Sequence, residues 1–235
     1  SPGLTVNITS TDEQIKKFDK YTDLLLSYNE MFNLTAITDK EEIEWKHYVD
    51  SAAGLKYLPK NGKIIDVGSG AGFPALPLCI LDDGNNEYTL CDSLNKRVNF
   101  LKTVCDALEL KNVVAVHRRA EEEAKEHFQY YDAAVARAVA SLPTLLEYTL
   151  PLLKKGGVLI AYKGDASEEI ALSQRALKIL RFVVVFDDYR HFGKSYHSRR
   201  AVTSFARDNN VISAFFLNYE RLYYAVITNG IGKFY

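Results

Sequence analysis

The run "IIDVGSGAGFPALPL", Ile64 to Leu78, decides the reading of this chain. It joins a short apolar strand, an acid near its end (Asp66), three alternate glycines (Gly68, Gly70, Gly72) and a proline entering a second apolar segment. Glycine here permits positive φ and lets a ligand approach the backbone. The proline, Pro74, suits the first position of a helix. Strand, glycine loop and helix in that order make the first nucleotide-binding turn of a doubly wound sheet.

The spacing narrows the choice of nucleotide. A dinucleotide fingerprint, G-x-G-x-x-G, needs its last glycine where this chain has Phe73. A phosphate-cradling Walker loop would need a following Gly-Lys-Ser/Thr, which is absent. Asp66 beside the loop would repel a pyrophosphate and suits a ligand carrying an ammonium or sulfonium. The loop therefore favours S-adenosylmethionine over NAD. Asp92 ends the next strand, 24 residues after Gly68. An acid there can take ribose hydroxyls or cap the following helix; either cofactor is served.

Outward from the loop, apolar strands alternate with amphipathic helices. The strands are "KIIDV", "EYTLCD", "NVVAVH", "DAAVA", "GVLIAYK" and "FVVVFD", with helices from about Pro74, Ser93, Glu121, Leu142 and Ser167. Alternation of this kind predicts a mostly parallel sheet with helices on both faces. Near-continuous apolar strands agree, because both faces are covered. Residues 1–60 read as a helical extension and 61–235 as the α/β domain. Ser10-x-x-Glu13 and Thr38-x-x-Glu41 read as capping boxes, the first opening a stripe of Ile15, Phe18, Leu25 and Tyr28. Between Tyr189 and Glu220 no element is assigned; "LYYAVI" near the end is a candidate last strand.

Composition excludes other classes. Hydrophobic content of 47% and charged content of 25% are those of a globular protein. No apolar run approaches the ~20 residues that cross a bilayer. "SPGLTVNITS" lacks the basic end and apolar core of a signal peptide and lacks an initiator Met, as a processed or engineered start would. Cys79, Cys91 and Cys105 have no metal spacing and sit in apolar contexts, which predicts buried reduced thiols and a cytoplasmic protein without a metal. The net charge of −1 is uneven. From Ala171 onward ten basic residues face four acids, +6, leaving −7 for the rest. That asymmetry is read either as a basic face or as scattered surface charge.

Seven segments, taken together and in order, resemble a known family: "YNEMFNLTAIT", "KHYVDSA", "DVGSGAGFPALPL", "DSLNKRVNFL", "RRAEE", "ARAVASL" and "LIAYKG". They are similar to the bacterial 16S ribosomal RNA guanine-N7 methyltransferases, the glucose-inhibited division protein B family. The resemblance runs from about Tyr21 to Gly164. It implies a Rossmann-like class I S-adenosylmethionine-dependent methyltransferase with an N-terminal helical extension. It also implies a place for each residue. Gly68, Gly70 and Phe73 stand on the methionine and adenosine side of the cofactor. Asp92 takes the ribose, and Ala120 and Glu121 the adenine. Arg137 sits beside the reacting centre. Asn33, His47, Asp50, Ser51 and Lys163 lie near the substrate mouth. The implied partner is 16S rRNA or the 30S subunit, and the enzyme is expected to be a monomer. Past about Val183 no motif of the family is found. The chain stops without the family's basic tail, as a divergent end or a changed reading frame would leave it. Arg199 and Arg200 are candidate substitutes for its phosphate contacts.

Guanine N7 carries an unshared pair, so no general base is required. Catalysis then consists of aligning N7, methyl carbon and sulfur, worth roughly 7–11 kcal/mol in well-oriented systems. Arg137 is expected to position the base or hold the cofactor carboxylate. The deep major groove of A-form RNA hides N7, so the target lies in a loop or is extruded. Two other classes are weighed. An NAD oxidoreductase is opposed by Asp66 and Phe73. A non-catalytic RNA-binding or ribosome-assembly protein with a degenerate loop is opposed by the intact glycines and acids.

Overall fold

The computed structural model describes residues 10–163, 168–169, 171–173, 183–187, 201–206 and 213–217. Helix α1 spans Asp12–Phe32. Its cap is Thr11, whose side chain accepts from Gln14 N while the Gln14 side chain accepts from Thr11 N. This corrects the expected Ser10–Glu13 box by one residue. The reason is tertiary: Gln14 is buried and donates its side-chain amide to Ile80 O at 3.0 Å. The buried face is correspondingly Gln14, Tyr21, Thr22 and Leu25, and Ile15 is exposed. Asn33 ends the helix in the left-handed region at φ 49°, which asparagine tolerates.

Helix α2, Lys40–Ile43, is capped by Asp39, which accepts from Glu42 N, not by Thr38. Aspartate is the stronger cap of the two neighbours. A π-helical turn, Glu44–Val49, leads into the short α3, Asp50–Ala52. π-Turns inside helices recur at functional sites.

The strands are β1 Lys63–Val67, β2 Glu87–Asp92, β3 Val113–His117, β4 Tyr131–Arg137, β5 Leu153–Lys163, β6 Val183–Asp187, β7 Ala201–Ala206 and β8 Ser213–Leu217. Between them lie α4 Ala75–Leu81, α5 Asn95–Ala107, α6 Ala120–Glu126 and α7 Leu142–Thr149. The described strands form one sheet in the order β3-β2-β1-β4-β5-β7-β6-β8. The first five are parallel. β7 runs antiparallel to β5 and β6, and β8 lies parallel to β6. The six strands read from the sequence are present. β7 and β8 fall in the stretch left unassigned, and "LYYAVI" lies outside the described residues, as does most of the helix expected from Ser167.

Alternate strand residues serve two cores. Ile64, Ala133, Val135 and Ile160 face a cluster that includes Tyr21, Leu25, Ile43 and Tyr48 of the N-terminal helices. Ile65, Ala134, Ala136 and Leu159 face a second one with Leu142, Leu145 and Leu146 of α7. The N-terminal helices thus pack on the sheet through the same cluster that holds Phe73 and Leu76 of the glycine loop region. Strand order reverses between β1 and β4, and ligands of such sheets bind at that point, beyond the carboxyl ends of the strands.

Candidate functional site

The loop after β1 occupies that point. Gly68, Gly70 and Gly72 have φ of +70°, +58° and +100°. A Cβ on Gly68 would come within 2.8 Å of Val139, and one on Gly72 would fall on Leu76 and the Tyr21 hydroxyl. Gly70 differs: its Cβ would meet only the Gly68 carbonyl, at 3.9 Å, so it borders open space. Packing requires the outer two glycines; the middle one keeps a surface bare. Pro74 stands as the cap of α4, one position before the expected first turn. Gly68 N and Ser69 N donate to Cys91 O at 2.8 and 3.1 Å. The Tyr21 hydroxyl donates to Ala71 O at 2.5 Å, so α1 braces the loop from behind.

Asp66 is fully buried under this loop. Its Oδ2 lies 3.4 Å from Ala75 N, and its Oδ1 is buried with no hydrogen-bond partner among the described residues. Burial pushes its carboxyl up to about 7. A buried carboxylate oxygen without a partner, behind a bare loop, fits a cationic ligand group. Asp92 is also buried. Its Oδ2 accepts from Gly70 N at 2.8 Å and its Oδ1 from Leu94 N at 2.9 Å, with Arg97 at 3.6 Å. It therefore shapes the loop and the entry to α5 together, and a carboxylate's four acceptor sites leave it capacity for more.

Arg137, at the end of β4, meets the N-terminal helices. Its Nη1 donates to Asp50 Oδ2 at 3.1 Å and to Lys46 O at 3.2 Å, and its Nη2 lies 2.9 Å from His47 Nδ1. The guanidinium sits 4.8 Å from the centre of the Phe73 ring, and His47 stacks on that ring at 4.2 Å. The π-helical turn is what presents the Lys46 carbonyl, His47 and, just after it, Asp50 to one guanidinium. Ser51 donates to His47 O at 2.5 Å, and Tyr162 to Ser51 O at 2.6 Å.

The other expected residues are placed as follows. Lys163 donates to Ala140 O at 2.6 Å and pairs with Glu169 at 2.7 Å, tying β5 to the loop after β4. Ala120 is buried in the first turn of α6, and Glu121 beside it is exposed. The acid that anchors α6 is Glu123, which accepts from Tyr131 and Arg118. Asn33 is exposed at the end of α1. Arg199 and Arg200 lie outside the described residues. Direct contacts thus make two groups, Gly70 with Asp92, and Arg137 with His47, Asp50 and Phe73, while Asp66 contacts Ala75 N and Gly68 contacts Cys91 O. Sequence reasoning missed Tyr21, the Lys46 carbonyl and Thr35, whose Oγ1 is 2.9 Å from His47 Nε2. Only the "NLT" segment around Thr35 carried a signal.

The three cysteines are free and buried, and burial pushes Cys91 and Cys105 up to about 12. Among the described residues no group of three or more His, Cys, Asp or Glu is placed to hold a metal, and no helix is long and apolar enough to cross a membrane. A groove of about 830 Å³ between α1 and the Lys40–Ala52 stretch is lined by Asp19, Asp23, Glu41 and Glu44. Its acids make it a poor seat for phosphate.

A family model described as GidB, rRNA small subunit methyltransferase G, matches residues 14–194. The match passes Gly164 and takes in β6, so the likeness extends beyond Val183, where the motifs fade. A relative named ribosomal RNA small subunit methyltransferase G from Acetivibrio thermocellus is 49% identical over 181 residues, 76% of this chain and 74% of that one. One of the same name from Alkaliphilus metalliredigens is 50% identical over 179 residues, covering 74% of each. Among solved structures, a SAM-dependent O-methyltransferase from Thermotoga maritima superposes with a TM-score of 0.56 at 15% identity, over 78% of this chain and 71% of that one. That likeness is one of fold.

Proposed function

We propose, since the chain belongs to the GidB family of rRNA small subunit methyltransferases G, that it transfers a methyl group from S-adenosyl-L-methionine to guanine N7 of 16S rRNA. The observation that carries the cofactor reading is Asp66: a buried carboxylate with one oxygen lacking a partner, directly behind a loop whose middle glycine borders open space. A pyrophosphate would be repelled there; the ammonium of an amino-acid moiety would be held.

When bound, the cofactor supplies an electrophilic methyl group on a sulfonium. The chain's own residues do the rest. Asp66 takes the ammonium, Gly70 leaves the surface bare for it, and Gly68 gives the loop its turn. Asp92, already fixed by two backbone amides, offers remaining lone pairs to the ribose. Ala120 and Glu121 border the adenine. Phe73 is the stacked platform on which Arg137 and His47 rest. Arg137, held by Asp50, the Lys46 carbonyl and His47, orients the guanine through O6, a common guanidinium partner. It stays off N7, so that a bound cofactor could pass its methyl group to that lone pair as the carbon–sulfur bond breaks and its electrons return to sulfur. No proton leaves N7, so catalysis is alignment and charge placement. Asn33 and Lys163 border the RNA mouth, and Arg199 and Arg200 add phosphate contacts. In this reading residues 1–60 form the helical extension and 61–235 the cofactor-binding domain of a cytoplasmic monomer that acts on 16S rRNA or the 30S subunit.

The test is calorimetric titration with S-adenosylmethionine and with NAD, followed by transfer of labelled methyl to 16S rRNA and to 30S subunits. Binding of the first alone, with the label recovered as 7-methylguanosine after nuclease digestion, is expected. Binding without transfer to either RNA substrate, or label on another atom, would overturn the reading.

A further inference from the structure

The Arg137 guanidinium can only donate hydrogen bonds. The nitrogen facing its Nη2 at 2.9 Å, His47 Nδ1, must therefore be the acceptor. A neutral imidazole that accepts at Nδ1 carries its proton on Nε2. That nitrogen lies 2.9 Å from Thr35 Oγ1. The hydroxyl is itself fixed: it accepts from Ile37 N at 3.1 Å, and Thr35 N donates to Asn29 Oδ1 at 2.8 Å. The guanidinium sets the direction of the chain: Arg137 donates to Nδ1, and Nε2–H then donates to the Thr35 hydroxyl. The imidazole cannot tilt freely either, because it stacks on Phe73 at 4.2 Å with 17° between the planes.

We infer that Thr35 is a positioning residue for methyl transfer: by accepting from Nε2–H it anchors the His47 ring in the orientation that receives Arg137 at Nδ1, and His47 in turn fixes the Arg137 guanidinium at the mouth of the cofactor loop. The inference rests on the proposed function for its catalytic consequence, but its structural half stands alone. Second partners of this kind fix ring orientation and tautomer, a role best attested at metal-bound histidines. Without the hydroxyl, Nε2–H loses its acceptor and the ring is no longer anchored at that end. A ring that turns carries Nδ1 away from Arg137 Nη2, and the guanidinium is displaced. Thr35 lies on neither the glycine loop nor the ends of β1 and β2, so cofactor affinity is not its province.

Two measurements test this. Nitrogen-15 spectra of labelled protein read the tautomer of His47 directly, without substrate. The Nε2–H form is expected in the wild type, with its Nε2 resonance shifted in Thr35→Val as the acceptor is lost; an Nδ1–H form in the wild type would overturn the inference. Methyl-transfer kinetics form the second arm, on a wild type first shown to be active, so that failure of the proposed reaction is seen separately. Thr35→Val keeps the shape and loses the hydroxyl. It should lower kcat by up to about a hundredfold, the scale of small misplacements near a reacting centre. The S-adenosylmethionine Kd should stay close to wild type, while the melting transition falls modestly because Ile37 N and His47 Nε2–H lose their acceptor. Thr35→Ser, which restores the hydroxyl, should recover most of kcat. Equal losses in Val and Ser variants, or unchanged kcat in Thr35→Val, would overturn the inference.

Discussion

Asp66 and Gly70 divide the work of one loop at the scale of single residues. Asp66 is buried and its carboxyl is pushed up to about 7. In the unfolded chain the same group ionises near pH 4. Between those values the folded chain holds a proton that the unfolded chain does not, so this contribution to stability declines as pH rises from about 4 to about 7. A ligand ammonium reverses the preference, since it favours the ionised carboxylate. Binding of S-adenosylmethionine should then release a proton below pH 7, and affinity should rise with pH, approaching about tenfold per unit. Calorimetry in buffers of different ionisation enthalpy counts that proton. Asp66→Asn should weaken binding and flatten the pH dependence; a slope unchanged in the variant would remove Asp66 from the site. Gly70→Val is the complementary test. The variant places a β-branched residue at φ +58°, which costs about 1–3 kcal/mol, and its side chain projects into the space before the loop. Circular dichroism should show a folded protein of lower melting temperature, and titration should show no cofactor binding. Full affinity would mean that the ligand does not approach Gly70.

Among the elements, α1 matters for what it does to the loop. Its Tyr21 hydroxyl reaches Ala71 O, 50 positions along the chain. Tyr21 is fully buried, and burial holds its hydroxyl protonated, well above the usual phenol range. It is therefore a fixed donor. Tyr21→Phe keeps the ring that lies 5.4 Å from Phe73 and removes only that donor. The orphaned carbonyl should cost about 1–3 kcal/mol. Part of that should appear as weaker cofactor binding, because the carbonyl belongs to the loop between Gly70 and Gly72. Thermal melting and titration of the single variant would check it; lost stability with unchanged affinity would make the brace structural only. The same helix explains why the capping register slipped from the expected one. Thr11-x-x-Gln14 satisfies the same rule as Ser10-x-x-Glu13, and the contact of Gln14 with Ile80 O selects between them.

The charge distribution is a property of the whole molecule. The segment from Ala171 carries +6 against −7 elsewhere, and the groove beside α1 is acidic. RNA is expected to avoid that groove. Each phosphate contact contributes roughly 0.7–0.9 to the slope of log affinity against log salt. An Arg199→Ala/Arg200→Ala double variant should lower the slope for 16S rRNA by up to about 2 and leave S-adenosylmethionine binding untouched. Filter binding over a salt series measures it. An identical slope would place the RNA face on the mouth formed by the N-terminal helices, Arg137 and Lys163.

The sequence by itself determined what is carried by neighbouring residues. Apolar runs marked β1 to β6, and alternate glycines marked a loop that now shows positive φ at all three. The two acids, Asp66 and Asp92, were legible because each stands at or next to the end of a strand beside that loop. β7 and β8 were not: Asp208-Asn209-Asn210 is a turn signal between them, but Thr203 and Ser204 interrupt the apolar run of the first. Tertiary structure alone decided the rest. His47 and Asp50 were expected at a substrate mouth, and the fold puts them under Arg137, 90 and 87 positions away. Gln14 finds Ile80 across 66 positions, and Tyr21 finds Ala71 across 50. Local propensity says nothing about such pairs. They exist because the helical extension buries its apolar face on the sheet, and that burial brings buried donors and acceptors together, where each must find a partner.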